Sequence, residues 1–240
     1  MERARLAFLR TDLLRVMRDS FLVGLLGIAL GMAVALRFVL PAIADRVTGF
    51  DLTTYFPLFA SYYVIGVGAM MMGAVGGFLL LDSREENVLS AMAVSPVPLR
   101  RYFTILGAVM ATGAFVLSVL QASAIGVGLA PWPAVVGCAF AGALFAPFFA
   151  FLLAGVATNK VEAFAVMKII GVCAAIPIGA WFVDESWQWL FAFYPPYLVC
   201  KAWWVASEGG AAWPLWLLAS IPMTAIYVLA TARHFARLGR

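Results

Sequence analysis

Charged residues are scarce in this chain. They make up 12% of its 240 residues, whereas 65% are hydrophobic. A soluble domain is about a quarter charged and about half apolar, so this chain lacks the polar surface of a water-soluble globule. The apolar runs are continuous rather than alternating, which favours helices over membrane strands. The composition therefore excludes a soluble domain and predicts an all-α integral membrane protein.

Residues that carry chemistry are equally scarce. His234 is the only histidine, which excludes a Ser/His/Asp hydrolase and a metal centre built from histidines. Lys160, Lys168 and Lys201 are the only lysines, and each is followed by an apolar residue, so the chain holds no P-loop. No pair of acidic residues lies deep in an apolar run, as a proton-coupled carrier would often show. We therefore expect no enzyme active site, no metal and no bound cofactor on this chain.

The cysteines form no recognisable site. Cys138, Cys173 and Cys200 match neither a metal-binding spacing nor a disulfide framework. Small apolar packing residues are the simplest interpretation. We expect Cys200 alone to lie near an aqueous face outside the cytoplasm.

Six apolar segments are long enough to cross a bilayer, which takes about 20 helical residues. They cover residues 21–44, 56–81, 102–129, 134–157, 161–183 and 213–232. One six-span domain over residues 21–240 is predicted, preceded by a separate segment over residues 1–20.

The basic residues predict the orientation of the spans. With a cytoplasmic N-terminus, the opposite side would hold only Arg46 and Lys201, and Arg37 and Lys168 would lie within spans. The other twelve basic residues would be cytoplasmic: Arg3, Arg5, Arg10, Arg15, Arg18, Arg84, Arg100, Arg101, Lys160, Arg233, Arg237 and Arg240. This asymmetry places both termini in the cytoplasm. The net charge of +4 thus reports topology in the lipid bilayer and does not indicate nucleic-acid binding.

The first twenty residues have the pattern of an amphipathic helix. Leu6, Leu9 and Leu13 recur at helical spacing, and charged residues occupy another face. We interpret this segment as a helix in the cytoplasmic interface. A cleaved signal peptide ending at Ala44 is the alternative, although the acidic residues before it are unusual for a leader.

A polar segment, DSREENVLSAMAVSPVPLRRY, separates spans two and three. Ser83 and Glu86 form an S-x-x-E pattern that predicts a helix start, and Pro96 should end that helix near Val94. The predicted amphipathic helix, Arg84 to Val94, could rest on lipid headgroups. Because anionic lipids would repel Glu85 and Glu86, a groove on a protein partner is favoured.

This segment resembles the first cytoplasmic loop of ABC transporter permeases of the type-2 exporter class, with Glu85, Ser95, Pro96 and Tyr102 in the recognisable places. TNKVEAFAVMK at 158–168 is similar to that family's start of span five. FAFYPPYLVCKAWW at 191–204 is similar to its proline-aromatic segment before span six. The chain most resembles the small stand-alone permeases of the fluoroquinolone-export type.

The resemblance implies that the loop is a coupling helix that docks on a separate ABC ATPase subunit, which would bind ATP and Mg²⁺. It also implies a second permease copy, identical or related, and a prokaryotic plasma membrane. The implied coupling residues are Arg84, Glu85, Glu86, Asn87, Val88, Leu89, Met92, Ser95 and Pro96. The implied outer cap of the pathway is Tyr194, Pro195, Pro196 and Tyr197.

Lys168 and the run Met70, Met71 and Met72 are the candidate pathway residues. A lysine within a span usually faces a bundle interior, although Lys168 could equally snorkel to the cytoplasmic interface. The methionines suit a promiscuous apolar path but also fill gaps in a core. Arg37 is expected to snorkel or to pair with Asp45 or Asp51.

Small residues predict where helices approach closely. Ala69, Gly73 and Gly77 recur along span two, and Gly27 and Gly31 lie in span one. These faces could pack within one chain or form a homodimer seam. The aromatic segment 181–204 is predicted to form two short interfacial or re-entrant helices separated by a proline break.

A permease subunit of an ATP-driven exporter of amphipathic or apolar substrates, such as drugs or lipids, is the function that the resemblance implies. The residues also leave open a membrane scaffold that recruits a soluble partner, or a stand-alone carrier or channel.

Overall fold

A computed structural model describes residues 18–86, 88 and 99–238 of the chain. Within these residues the regular structure is entirely helical. Six helices are long and apolar enough to cross a membrane: Ser20–Ala44, Leu52–Glu85, Arg101–Ile125, Trp132–Val156, Lys160–Trp181 and Trp213–Arg237. The all-α membrane class is confirmed. The predicted interfacial helix over residues 1–20 and most of the predicted coupling helix lie outside the described residues.

Spans two, four and five are built from more than one helical segment. In chain order the α-helices are α1 (Ser20–Ala44), α2 (Phe56–Ser61), α3 (Gly68–Glu85), α4 (Leu99–Ile125), α5 (Trp132–Ala143), α6 (Ala146–Val156), α7 (Lys160–Ala174), α8 (Ile176–Trp181), α9 (Pro195–Ser207) and α10 (Trp213–Leu238). A 3-10 turn at Leu52–Tyr55 precedes α2, a π-helical segment at Tyr62–Val67 joins α2 to α3, and a second 3-10 helix covers Glu185–Phe191.

Polar caps fix where two of the spans begin. The Asp19 carboxylate accepts hydrogen bonds from the backbone N–H groups of Phe21 and Leu22, at 2.9 and 3.3 Å. Asn159 accepts from the Glu162 N–H at 2.9 Å, and the Glu162 carboxylate accepts from the Thr158 N–H at 2.8 Å. Such caps satisfy N–H groups that the first helical turn leaves without partners.

The third span ends earlier than its apolar run. Helix α4 stops at Ile125, whereas hydropathy predicts a span to residue 129, because Gly126 and Gly128 adopt positive φ angles of 64° and 65°. A Cβ atom at Gly128 would overlap the backbone of Phe56, so this turn needs glycine for space as well as for conformation. In contrast, the sixth span runs past the predicted residue 232 to Leu238.

Span two is the central helix of the bundle. The most apolar stretch of span two is 78% buried, whereas the corresponding stretches of spans one and six are each 17% buried. A Cβ atom at Gly73 would lie 2.5 Å from Phe149 Cβ and 2.7 Å from the Ala146 carbonyl oxygen. At Gly77 it would lie 2.7 Å from Leu153 Cδ2. The glycines of span two therefore pack against span four of the same chain, which confirms the intrachain interpretation for this face.

The glycines of span one have no such neighbour. Cβ atoms built at Gly27 and Gly31 meet none of the described atoms within 4 Å. Ile28 and Met32 beside them are exposed on the surface of the chain. This face of span one is free of the rest of the described bundle.

Proline interrupts spans four and five, which were predicted as continuous helices. Span four breaks at residues 144–145, between α5 and α6, and Pro147 lies in the first turn of α6. Span five breaks at Ala175, and Pro177 lies in the first turn of α8. Pro147 and Pro177 have no N–H to bond the carbonyl four residues earlier, which explains both breaks.

The aromatic segment before span six forms a hairpin of two short helices. The 3-10 helix Glu185–Phe191 leads to a turn, and Pro195 and Pro196 occupy the first turn of α9. The prediction of two short helices with a proline break is confirmed. Because α9 packs inside the bundle, Cys200 is only 1% exposed, and the prediction that it lies near an aqueous face is wrong. Cys138 is also buried, and Cys173 is exposed.

The close contact between spans two and four generates a stability prediction. We expect Gly73→Ala to lower the free energy of unfolding by about 1–3 kcal/mol, the usual cost of overpacking, because its Cβ would meet backbone and Cβ atoms. Gly27→Ala is the matched control, and we expect it to raise stability by up to about 1 kcal/mol through helix propensity. Thermal unfolding of the purified protein in detergent measures both. Equal effects of the two substitutions would contradict this packing.

Candidate functional site

The ends of spans one, two and five that are predicted to face the cytoplasm meet in an aromatic cluster. Phe21, Phe78 and Phe164 lie with their ring centroids 5.2–5.4 Å apart, in edge-to-face and tilted arrangements. Such geometry is favourable for aromatic rings. The cluster packs the three helix ends together one turn before Asp82 in span two.

An ion pair joins spans two and five beside this cluster. Lys160 Nζ lies 2.8 Å from Asp82 Oδ1, and both side chains are partly exposed. Lys160 is the first residue of α7, where the helix dipole disfavours a cation. The carboxylate of Asp82 compensates for this position and fixes the start of span five against the end of span two.

A cleft opens between the start of span one and the end of span two. Its volume is about 470 Å³. Charged and polar groups dominate its wall, which is formed by Arg18, Asp19, Ser20, Leu22, Leu79, Asp82 and Glu86. The cleft thus lies where the N-terminal segment and the loop between spans two and three leave the bundle.

The end of span two differs from the prediction. Ser83 was expected to begin a new helix as its cap, with Glu86 as the third residue. Instead α3 continues to Glu85, the Ser83 hydroxyl donates to the Leu79 carbonyl at 2.8 Å, and the Glu86 N–H donates to the Asp82 carbonyl at 2.9 Å. The predicted capping box at Ser83 is wrong, because the i to i−4 hydrogen bonds of span two continue past this residue.

The described coupling residues surround this helix end. Arg84 lies in the last turn of α3, and Glu85 and Glu86 are exposed. Val88 is partly buried and packs against the core. Asn87, Leu89, Met92, Ser95 and Pro96 lie outside the described residues, so the coupling helix itself stays a prediction. Carboxylates at a helix C-terminus oppose its dipole, which makes this end favourable for a cationic partner group.

The predicted pathway residues lie elsewhere in the bundle. Lys168 is exposed on span five and has no hydrogen bond or ion pair with any described residue. Met70 and Met72 are half-buried and lie next to Gly171 and Gly113 respectively, and Met71 is half-buried as well. Filling space beside glycines is the role that these contacts show for Met70 and Met72; a pathway role stays a prediction.

Arg37 does not form an ion pair with Asp45 or Asp51 among the described residues. Its guanidinium lies against Gly126, where a Cβ atom would be 3.1 Å from the Arg37 Nη1 atom. Asp51 is occupied locally, since its carboxylate accepts from the backbone N–H and the hydroxyl of Thr53. These hydrogen bonds lower the pKa of the Asp51 carboxyl.

The predicted outer-cap residues are all buried at the hairpin. Tyr194, Pro195, Pro196 and Tyr197 lie inside the bundle. The Tyr197 hydroxyl donates to Gln188 Oε1 at 3.3 Å, and Gln188 Nε2 donates to the Val183 carbonyl at 2.8 Å. Lys201 and Glu185 form an ion pair at 3.0 Å. These bonds join the two arms of the hairpin.

A buried polar cluster around the π-helical segment is absent from the sequence predictions. The Ser118 hydroxyl donates to the Val64 carbonyl at 2.8 Å, and the Tyr63 hydroxyl donates to the Ala29 carbonyl at 2.8 Å. Trp204 Nε1 donates to the Ser61 hydroxyl at 2.8 Å. The polar residues at positions 118 and 121 of an apolar span were the available signal, because such residues in membrane helices usually bond across helices.

Comparisons with known proteins give one consistent result. The family model described as Fluoroquinolones export permease protein Rv2686c-like matches residues 12–231. Two curated Mycobacterium tuberculosis proteins, from strains CDC 1551 / Oshkosh and ATCC 25618 / H37Rv, are named Fluoroquinolones export permease protein. Each is 30% identical over 220 residues, which cover 88% of this chain and 86% of the relative.

Substitutions of Lys160 and Asp82 test whether their ion pair holds the start of span five against the end of span two. Asp82→Asn should destabilise the protein, by about 1 kcal/mol or less for a partly exposed pair. Lys160→Met should be clearly destabilising in the native background and much less so beside Asp82→Asn, because the cation then opposes the helix dipole with only the weaker favourable charges of Asp19 and Glu85 near it. A double-mutant cycle by thermal unfolding measures this coupling. Additive effects would show that the pair does not hold the two spans together.

Proposed function

The chain belongs to the family of Rv2686c-like fluoroquinolones export permeases, and on that premise we propose that it is the membrane subunit of an ATP-driven ABC exporter. A separate ABC ATPase subunit supplies the energy and binds ATP and Mg²⁺. No P-loop occurs in the 240 residues, which agrees with this division of labour.

The observation that carries the proposal is the position of the loop on span two. Helix α3 runs without a break from Gly68 to Glu85, and it forms the buried centre of the bundle. The proposed coupling residues begin at Arg84, at the end of this helix. A push or tilt applied to the loop therefore acts on the helix that contacts most of the other spans.

The chemistry of the loop fits a protein partner. Glu85 and Glu86 extend from the negative end of the α3 dipole, so a basic patch on the ATPase subunit would be attracted there. The apolar side chains of Leu89 and Met92 would enter a groove, as an amphipathic helix does when it docks. Ser95 and Pro96 would end that helix before span three begins.

Export requires a second half and an outer closure. We propose that a second permease copy, identical or related, covers exposed faces of this bundle, which include Gly27, Gly31 and Lys168 on spans one and five. The hairpin that holds Tyr194 and Tyr197 would close the outer end. Both termini would face the cytoplasm of a prokaryote, and the bilayer would be its plasma membrane.

The proposed substrate is an amphipathic or apolar drug. The relatives are named for the export of fluoroquinolones, and drugs of this class are the first substrates to test. The methionines at positions 70–72 and the apolar surfaces of the spans offer soft, adaptable contacts for such molecules.

Co-purification tests whether an ATPase binds this chain through the loop, and substitutions in the loop should abolish that binding. The chain is purified from its native membrane as wild type, Glu85→Arg and Leu89→Asp, and bound proteins and ATP hydrolysis are measured. We expect an ABC ATPase to co-purify with the wild type. The amount of bound ATPase should fall by at least about tenfold in both variants, because Glu85→Arg reverses a charge at the docking surface and Leu89→Asp places a carboxylate in an apolar groove.

Glu208→Arg is the matched control, because Glu208 is an exposed carboxylate between α9 and α10, on the predicted outer side. It should retain the ATPase. An ATPase that stays bound to all variants, or no ATPase at all, would contradict the coupled exporter. A different soluble protein would then point to a scaffold, and solute flux by the chain alone would point to a self-contained carrier.

A further inference from the structure

Four interruptions of regular helix lie next to one another in the bundle. They are the π-helical segment at 62–67 in span two, the break at 144–145 in span four, the break at 175 in span five and the hairpin turn at 192–194. We call these residues the hinge layer. The three interruptions within spans are each separated from both membrane faces by helix, and the hairpin turn is separated from the predicted outer face by the two hairpin arms.

Close approaches connect the hinge layer and the residues beside it. A Cβ atom at Gly66 would lie 3.9 Å from the Ala174 carbonyl oxygen, which joins spans two and five. A Cβ atom at Gly142 would lie 2.8 Å from Ile65 Cγ2, which joins spans two and four. The Phe145 and Tyr194 ring centroids are 5.8 Å apart, which joins span four to the hairpin turn.

The hinge layer has fewer backbone constraints than the helices on either side. Helices bend at π segments and prolines, because the regular hydrogen-bond ladder is interrupted there. Spans one and three cross the same region as unbroken helices of 25 and 27 residues. The outer segments α2, α5 and α8 are thus attached to their inner continuations through interrupted helix, and α9 is attached to the preceding 3-10 helix through the hairpin turn. Spans one and three are continuous through the same region.

A tyrosine holds the hairpin turn in place. The Tyr227 hydroxyl of span six donates to the Phe193 carbonyl at 2.8 Å. The Tyr227 ring also packs against Phe145 and Phe148, at centroid distances of 6.2 and 5.6 Å. Non-helical backbone inside a membrane needs such a partner, because no lipid group can supply the hydrogen bond.

A buried acceptor at the edge of the hinge layer lacks a partner. Gln121 Nε2 donates to the Ala29 carbonyl at 3.4 Å, but Gln121 Oε1 is buried without a hydrogen bond among the described residues. It lies close to Gly68, at the end of the π segment.

We propose that α2, α5, α8 and α9 move together as an outer unit about the hinge layer, and that the Tyr227 hydroxyl is the latch that keeps this unit closed. The inference gives the proposed exporter its outer gate and rests on that function for its purpose, but the motion itself is a property of this chain alone.

Hydrogen–deuterium exchange of the purified full chain in lipid nanodiscs tests the outer unit. We expect amides of α5 and α9 to exchange with matched rates, and Tyr227→Phe to accelerate both about fivefold, the change that the loss of one neutral hydrogen bond produces in an opening equilibrium. Amides of α6 and α7, on the inner side, should be unchanged. Thr231→Ala is the control, since Thr231 bonds only carbonyls of its own helix, including that of Tyr227 at 2.9 Å.

Acceleration of inner and outer amides alike would mean that Tyr227 stabilises the whole bundle and would overturn the proposal. Unrelated rates in α5 and α9, or no effect of Tyr227→Phe, would overturn it as well. No ATPase is present in this measurement. Failure of the hinge is therefore distinguishable from failure of the proposed function, which is tested by the bound ATPase.

Discussion

The contact between spans two and four is the interaction on which the rest of this structure depends. In a bilayer, helices gain little from leaving lipid, so they associate by close packing and by hydrogen bonds between helices. Gly73 and Gly77 let the backbone of span two approach Phe149, Ala146 and Leu153 at distances that no larger residue would permit. This contact buries span two, and the other helices are arranged around it.

The two ends of the buried span two differ in structure. At the end that is predicted to be cytoplasmic, the helix continues unbroken past the aromatic cluster to Asp82 and Glu85. On the outer side, it loses its regular ladder in the π segment, where Ser118 satisfies the Val64 carbonyl. Regular helix at one end and interrupted helix at the other suit span two to transmit a motion. A displacement applied at the loop end would move α3 as one unit and would change the bundle's shape near the π segment.

Hydropathy predicted the membrane class and all six spans, because the cost of unpaired backbone in lipid leaves few alternatives. It did not predict the breaks in spans four and five, since Pro147 and Pro177 lie within runs that remain apolar. The S-x-x-E pattern at Ser83 misled because a local motif cannot show whether the preceding helix has ended. The position of Cys200 was wrong for a related reason: burial of the hairpin is set by tertiary packing, which its aromatic composition does not specify. The resemblance to exporter permeases was confirmed by the family match, whereas the coupling, pathway and cap residues stay predictions.

The central claim is that this bundle transports only when a separate ATPase acts on the cytoplasmic end of span two. Proteoliposomes that contain the chain alone, the ATPase alone or both test it most directly, with the ATP-dependent flux of a fluorescent amphipathic drug as the readout. The account predicts flux only when both chains and ATP are present, and its loss when the Glu85 charge is reversed. Equal flux through the chain alone, without ATP, would contradict it.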